Sequence, residues 1–346
     1  MVRVVVSNVA GQPLEGKFEP GSKVQDLKAL VEGEWGVPSA CQKLLAGSAI
    51  LRDDDEIEAH AEGDAGLLAV TLIVALGAVF EQLESGSYDS KVAALHILEA
   101  LGPKGGDASR AAVIASLRDR DADDRCEALD VLGRMAPADD SDARDAITAR
   151  LTDREWSVRV GAVRVLGRVA QAEDLAAINA VATCLTDNDW EVRWEAVDAI
   201  GRVAPEGAAI KAAMASLDDR VSLVRREALR VFGRIAKAGD GDVLPDKVAH
   251  CLDDPDAIVR SEAVRVLGSI ARRGGRQAVA AVLRCLEEDL DGRVRSEAVD
   301  VLGPIAQEGD QHVATAIAGR LRDPEEDVRR RVADVMHSLA RHQDQR

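Results

Sequence analysis

The sequence predicts an α+β domain of residues 1–74 followed by an all-α right-handed solenoid of about eight helical hairpins, residues 75–346. Three observations carry this prediction. A pattern of about 34 residues recurs throughout the second segment, the strand-like segments lie in the first, and aromatic residues make up only 2% of the chain. Because sheets are enriched in aromatic and β-branched residues, most of this chain is expected to be helical.

The first 74 residues alternate strand and helix signals. Residues 2–6 are rich in valine and predict a strand, and residues 14–19 can pair back on it as a hairpin. Ser22 is placed to cap an amphipathic helix, which Gly36 ends. Residues 67–74 form a final apolar strand. The order indicates one helix over a small sheet.

This segment resembles ubiquitin and ubiquitin-like domains over almost its whole length. The resemblance rests on motifs that occur in the family's order: Glu19-Pro20, Val24-Gln25-Asp26-Leu27-Lys28-Ala29, Gly36-Val37-Pro38, Gln42-Lys43-Leu44-Leu45, Ala46-Gly47 and the last strand. No di-glycine tail follows, because residue 74 runs directly into Ala75-Leu76. The resemblance therefore implies a built-in β-grasp module rather than a transferable modifier.

In this family the partner-binding surface is an apolar patch on the sheet. By resemblance, the patch would include Leu45 and Val70, with Val9 at the hairpin tip. The partner it implies is a ubiquitin receptor or a proteasome-type component. The alternative is that Leu45 and Val70 are core residues or pack on the following domain.

The second segment is an internal repeat with two signatures. Each full unit has an aspartate six residues before an arginine, and successive arginines are 32 to 35 residues apart. The pairs are Asp119 and Arg125, Asp153 and Arg159, Asp187 and Arg193, Asp219 and Arg225, Asp254 and Arg260, Asp289 and Arg295, and Asp323 and Arg329. Lys91 is a degenerate copy in the first unit. Each unit contains two amphipathic helical patterns that can bury their apolar stripes only by stacking on neighbours.

These features resemble the HEAT-repeat family, a relative of the armadillo family, over residues 75–346. We expect the aspartate to cap the second helix of each unit. We expect the arginine to hydrogen-bond that aspartate or its copy in the next unit, so that a ladder runs along the stack.

Two groups of side chains vary between units and are candidates for partner binding. Arg134, Arg168, Arg202 and Arg234 follow the helix glycine in four consecutive units. They form either a basic stripe for an acidic peptide or protein face, or local compensation of each helix C-terminus. The tryptophans Trp156, Trp190 and Trp194 are either a peptide-binding hot spot or filling between helices.

The sequence gives no indication of catalysis. It contains no HExxH motif, Walker P-loop or nucleophile elbow, and its five cysteines are scattered. We therefore predict no catalytic residue, metal or cofactor, and a HEAT-like lyase is only the third reading. The net charge of −17 disfavours nucleic acid, and the longest uncharged run of 16 residues is too short for membrane insertion. An intracellular location, cytoplasmic or nuclear, is expected.

The predicted function is a non-catalytic adaptor. Its solenoid would bind a protein or acidic peptide, and its ubiquitin-like face would dock a second partner. The alternative is a structural subunit of a larger complex, in which the N-terminal domain only caps the solenoid.

Overall fold

The computed structural model describes residues 1–8, 11–61, 67–137, 140–170, 174–236, 246–271, 275–306 and 310–344. The chain forms two compact units, Met1–Val165 and Leu166–Arg346, which are described separately. Five strands and seventeen α-helices lie within the described residues. The chain is therefore mostly helical, with its strands confined to the start of the first unit.

The first unit begins with a five-stranded mixed sheet. Its strands are β1 (Val2–Ser7), β2 (Pro13–Phe18), β3 (Gln42–Ala46), β4 (Ala49–Ile50) and β5 (Leu67–Val74). Their order across the sheet is β2-β1-β5-β3-β4. The central pair β1 and β5 is parallel, and the other pairs are antiparallel. The predicted N-terminal hairpin and the predicted last strand are both confirmed.

One helix, α1 (Val24–Trp35), covers one face of this sheet. Its apolar residues Val24, Leu27 and Val31 are buried together with the inward residues of β1 and β5. The helix ends where Gly36 adopts a positive φ of 57°, a conformation that glycine reaches without steric cost.

The predicted cap of this helix is wrong by one residue. The N-cap of α1 is Lys23, not Ser22. The Asp26 carboxylate accepts a hydrogen bond from the Lys23 backbone N–H at 2.8 Å. This hydrogen bond from the N-cap backbone to the side chain three residues later is one half of a capping box, and it stabilises the start of the helix.

After the sheet, the helices alternate between a first and a second helix of each repeat. The first helices are α2 (Gly77–Ser85), α4 (Gly106–Ser116), α6 (Ser141–Thr148), α8 (Leu175–Thr183), α10 (Glu206–Ser216), α12 (Asp246–His250), α14 (Arg276–Glu288) and α16 (Gln311–Gly319). The second helices are α3 (Tyr88–Leu101), α5 (Ala122–Met135), α7 (Trp156–Val169), α9 (Trp190–Val203), α11 (Ser222–Ile235), α13 (Ala257–Ile270), α15 (Gly292–Ile305) and α17 (Glu326–Asp344).

Within the first unit, the sheet is tied to the helices that follow it. The Ala75 backbone N–H donates to the Cys41 carbonyl at 2.8 Å. Lys104, before α4, donates from Nζ to the carbonyl of Trp35 at the C-terminal end of α1. A cation at that end also interacts favourably with the helix dipole.

In the second unit, a glycine in each of several second helices allows close packing. A Cβ atom placed on Gly268 of α13 would lie 2.8 Å from both γ carbons of Val301 in α15. Gly201 has the same relation to Val231. Because real Cβ contacts are longer, only glycine fits at this helix–helix distance. Small residues at these positions therefore bring the second helices close together.

Candidate protein-binding surfaces

The signature residues form the expected ladder. Five of the signature arginines donate from Nε and Nη2 to both carboxylate oxygens of the next unit's aspartate, at 2.6 to 3.0 Å. The pairs are Arg125–Asp153 in the first compact unit and Arg193–Asp219, Arg225–Asp254, Arg260–Asp289 and Arg295–Asp323 in the second. Lys91 replaces arginine at the start and bonds Asp119 at 2.6 Å and Asp124 at 2.7 Å. These side chains hold repeats together.

The ladder aspartates do not cap the second helices directly. Asp119 accepts from the backbone N–H of Asp121, at 3.0 Å. Asp121 is the N-cap of α5, and its own side chain accepts from the N–H of Asp123. The capping prediction is therefore corrected: the ladder aspartate forms a turn that presents the cap two residues later.

The arginines that follow the helix glycines are exposed, but several have acidic partners. In the first unit, Arg134 donates from Nε to Glu99 of α3 at 2.5 Å, and this bond lowers the pKa of Glu99. In the second unit, Arg202 and Arg234 both bond Asp198 of α9, at 2.6 and 3.0 Å. Arg168 is exposed and also has a partner. Arg134 and Arg234 thus link successive second helices, whereas Arg202 bonds an aspartate of its own helix.

The three candidate tryptophans of the solenoid segment differ in exposure. Trp156, at the start of α7, is 46% exposed. Trp190 and Trp194 of α9 are partly buried against the apolar core of the second unit. Trp156 therefore presents the larger free apolar surface, whereas Trp190 and Trp194 also contribute to packing.

The outer face of the sheet, opposite α1, carries apolar side chains. Leu45 is partly exposed and pairs across strands with Ile50 and Thr71. Ile50 is 55% exposed, and Ile73, two residues after Thr71 on β5, is 40% exposed. We call Leu45, Ile50 and Ile73 the sheet patch. Nothing in the described part of the first unit buries it.

Val70 does not belong to this patch. It is 2% exposed and packs in the core between sheet and helix with Leu68 and Leu72. Because side chains alternate along a strand, the outward residues of β5 are those on either side of Val70. The core alternative is correct for Val70, and Thr71 takes the outward place. Val9 lies outside the described residues.

The cysteines are free, and four of the five are buried. Burial raises the pKa of Cys251 and Cys285 to about 11, so these thiols are almost entirely protonated at neutral pH. Within the described ranges, no group of three or more His, Cys, Asp or Glu side chains has the arrangement of a metal site. None of the described helices is long and apolar enough to span a membrane.

A second basic region was not singled out from the sequence. Arg226 and Arg230 of α11, Arg265 of α13 and Arg293 of α15 line one cleft of about 490 Å³ in the second unit. These arginines occupy three different positions of the repeat, so no single column of the sequence marks them. The cluster becomes visible only when neighbouring units are stacked and different repeat positions come together.

A stack of helical pairs joined by an arginine–aspartate ladder defines a helical-repeat solenoid protein. The sequence profile described as HEAT repeats matches residues 144–233, 178–268 and 245–337, together more than half of the chain. The protein belongs to the HEAT-repeat family. No curated protein sequence matches it.

Solved structures share this fold at low sequence identity. The X-ray structure of Escherichia coli YibA is 17% identical, with a TM-score of 0.53 over 76% of this chain and 92% of that chain. A chain from a structure of Kap95p binding to RanGDP is 13% identical, with a TM-score of 0.55 over 74% of this chain and 38% of that chain. At these identities, the likeness shows the fold alone.

Proposed function

We propose that this protein is a non-catalytic adaptor. A ubiquitin-like domain, residues 1–74, docks one partner through its sheet patch. A solenoid of eight repeats, residues 75–346, binds a second protein. HEAT solenoids are typical of protein-interaction scaffolds, and two modest sites on one chain give avidity without additional contacts.

The sheet patch carries this proposal. Leu45, Ile50 and Ile73 place apolar area on a face that is open within the first unit. Apolar residues that cluster on a surface lower the free energy when a partner covers them. The strand order, the parallel central pair and the single covering helix support the ubiquitin-like identity. The partner is a ubiquitin receptor or a proteasome-type component.

The solenoid contributes the second site. Its candidates are the tryptophans Trp156, Trp190 and Trp194, together with four arginines near the C-terminal ends of second helices: Arg134, Arg168, Arg202 and Arg234. Trp156 has the strongest support, because an exposed tryptophan offers a large contact area at low entropic cost. An acidic peptide or acidic protein face is the expected ligand of the arginines.

One observation favours the alternative of a structural subunit. Lys104 and Ala75 tie the N-terminal domain to the first helices. A domain fixed there covers the apolar end of a helical stack, as a terminal cap does. In that case the sheet patch has no partner.

The two functions are distinguished by affinity purification from the cells of origin followed by mass spectrometry. The native chain is compared with Leu45→Arg and with Leu175→Arg, a matched change at an exposed leucine of α8. We expect only Leu45→Arg to lose ubiquitin-receptor or proteasome components. An identical partner set for all three chains would refute the docking function and leave the cap.

The solenoid site is tested with Trp156→Ala. Its matched control is Tyr88→Ala, which removes an exposed aromatic side chain from α3. We expect Trp156→Ala alone to lose a partner that the Leu45→Arg chain retains. Retention of all partners by Trp156→Ala would exclude this tryptophan as a hot spot.

A further inference from the structure

The cleft lined by Arg226, Arg230, Arg265 and Arg293, which we call the arginine cleft, lies on the second helices of the second unit. It is open along α11 and α13, with α15 at its rim. Glu262 is the one carboxylate in its lining. Four guanidinium groups around one carboxylate form a local positive region on a chain of net charge −17.

Two of the carboxylates that pair with these arginines are buried beneath them. Arg230 bonds Glu227 at 2.9 Å, and Arg265 bonds Glu262 at 2.6 Å. The two glutamate side chains are only 1% and 5% exposed, whereas the Arg265 side chain is 55% exposed. A ligand approaching from solvent therefore meets the guanidinium groups of Arg230 and Arg265 before these two glutamates. Two further carboxylates at the cleft are partly exposed: Glu297 lies 3.5 Å from Arg265 and is 24% exposed, and Asp291 lies 3.2 Å from Arg293 and is 26% exposed.

Arg226 has unused hydrogen-bonding capacity. Its Nε is buried and has no hydrogen-bond partner in the described structure. No ion pair to its guanidinium occurs among the described residues. Guanidinium groups bind carboxylates through two parallel hydrogen bonds, which gives geometric selectivity.

A neighbouring cleft has the opposite charge. It measures about 890 Å³, covers α15 and α17, and shares Ser261 and Arg293 with the arginine cleft. Its lining holds twice as many carboxylates as arginines: Asp291, Glu297, Asp300, Glu325, Asp327 and Asp334, against Arg293, Arg330 and Arg331. Positive and negative regions thus follow one another along the same face.

We propose that this face binds an extended segment of a partner protein in which acidic side chains are followed or preceded by basic ones. The acidic side chains occupy the arginine cleft, where the Arg226 guanidinium has no ion-pair partner among the described residues. The basic side chains lie over α15 and α17. With helices about 10 Å apart, the two centres are separated by about 20 Å, or about six extended residues.

The inference rests on the proposed scaffold function and names the ligand of its solenoid. It is tested with purified full-length protein and labelled synthetic peptides. A negative result in this assay therefore does not affect the outcome of the cellular partner experiment. One peptide has four glutamates and four lysines in separate blocks with their centres about six residues apart. A second peptide has the same composition with alternating charges. Binding is measured by fluorescence anisotropy at low and physiological salt.

We expect the block peptide to bind about tenfold more tightly than the alternating peptide, and more weakly as salt rises. Arg226→Gln should weaken block-peptide binding at least about fivefold, because it removes a guanidinium from the cleft without leaving a buried carboxylate unpaired. The matched Arg276→Gln change, at the exposed start of α14, should have no effect. Glu262→Gln should strengthen binding about two- to fivefold, since it removes the negative charge from the lining.

Equal binding of the block and alternating peptides would overturn the proposal. Equal binding by the native, Arg226→Gln and Arg276→Gln chains would also overturn it. Circular dichroism verifies that each variant is folded. If Arg226→Gln does not fold, Arg293→Gln replaces it, because the Arg293 side chain is exposed and its loss leaves no buried group without a partner.

Discussion

The close contact between Gly268 and Val301 predicts an unusual response to alanine. In an ordinary helix, Gly→Ala stabilises by about 1 kcal/mol because alanine loses less backbone entropy. At Gly268, the added Cβ would lie 2.8 Å from both γ carbons of Val301, so the two helices must separate by about 0.6 Å to reach ordinary contact. Inserting a methyl group into a close-packed core costs about 1–3 kcal/mol.

The two effects oppose each other, and the steric one is larger. We expect Gly268→Ala to lower the free energy of unfolding by about 1 kcal/mol. Val301→Ala also destabilises, because it leaves a cavity at a buried site. The double variant should be more stable than the sum of the single effects by about 1–2 kcal/mol, since the clashing γ carbons are absent. Gly207→Ala is the control, because its new Cβ would meet nothing within 4 Å.

The measurement is urea unfolding followed by far-ultraviolet circular dichroism for the four members of this double-mutant cycle. Urea midpoints are compared only between variants whose unfolding transitions have the same dependence on urea concentration, because repeat proteins can lose cooperativity. Additivity to within about 0.5 kcal/mol would refute the idea that these helices are spaced by the glycine. A stabilising Gly268→Ala variant would refute it as well.

Three further predictions follow from buried ionisable groups. Asp323→Asn should destabilise by about 3 kcal/mol at neutral pH, because it leaves the buried Arg295 without its charged partner. The bond from Arg295 lowers the pKa of Asp323, so this stabilisation is lost on acidification below about pH 4, and a difference that persists in acid urea unfolding would contradict the assignment. Burial raises the pKa of Glu262, so native stability falls as pH rises above about 4.3, and Glu262→Gln should be at least as stable as the native chain at pH 7. An unfolding free energy lower than the native value at pH 7 but equal at pH 4 would contradict this. Cys251 and Cys285 should react with a thiol reagent only after unfolding, as measured by labelling with and without urea, and fast native labelling would show that they are accessible.

Much of the fold could be predicted because it repeats. The six-residue spacing between Asp289 and Arg295 is copied in each full unit, so one local geometry accounts for the whole ladder. The repeat also marks Gly268 as a packing residue, since a position shared by most units has a structural role. Within the repeats, the N-cap of the second helix differed from the prediction. Aspartates stand both at the ladder position and two residues later, as at Asp119 and Asp121, and the later one is the cap.

Val70 shows why a strand face is harder to predict than a strand. A shift of one residue exchanges every inward side chain for an outward one. Leu45 faces outward and Val70 inward, because hydrogen bonding pairs Leu45 with Thr71.

The arginine cleft depends on information that no single repeat contains. Arg226, Arg265 and Arg293 come from three successive second helices and from three different positions within the repeat. Their effect also requires that Glu227 and Glu262 be buried beneath them, which the sequence pattern alone does not determine. In a repeat protein, residues that recur describe how the units stack. Residues that vary acquire a function only where stacking brings them together, so the binding surface follows from the assembled face and not from the repeat.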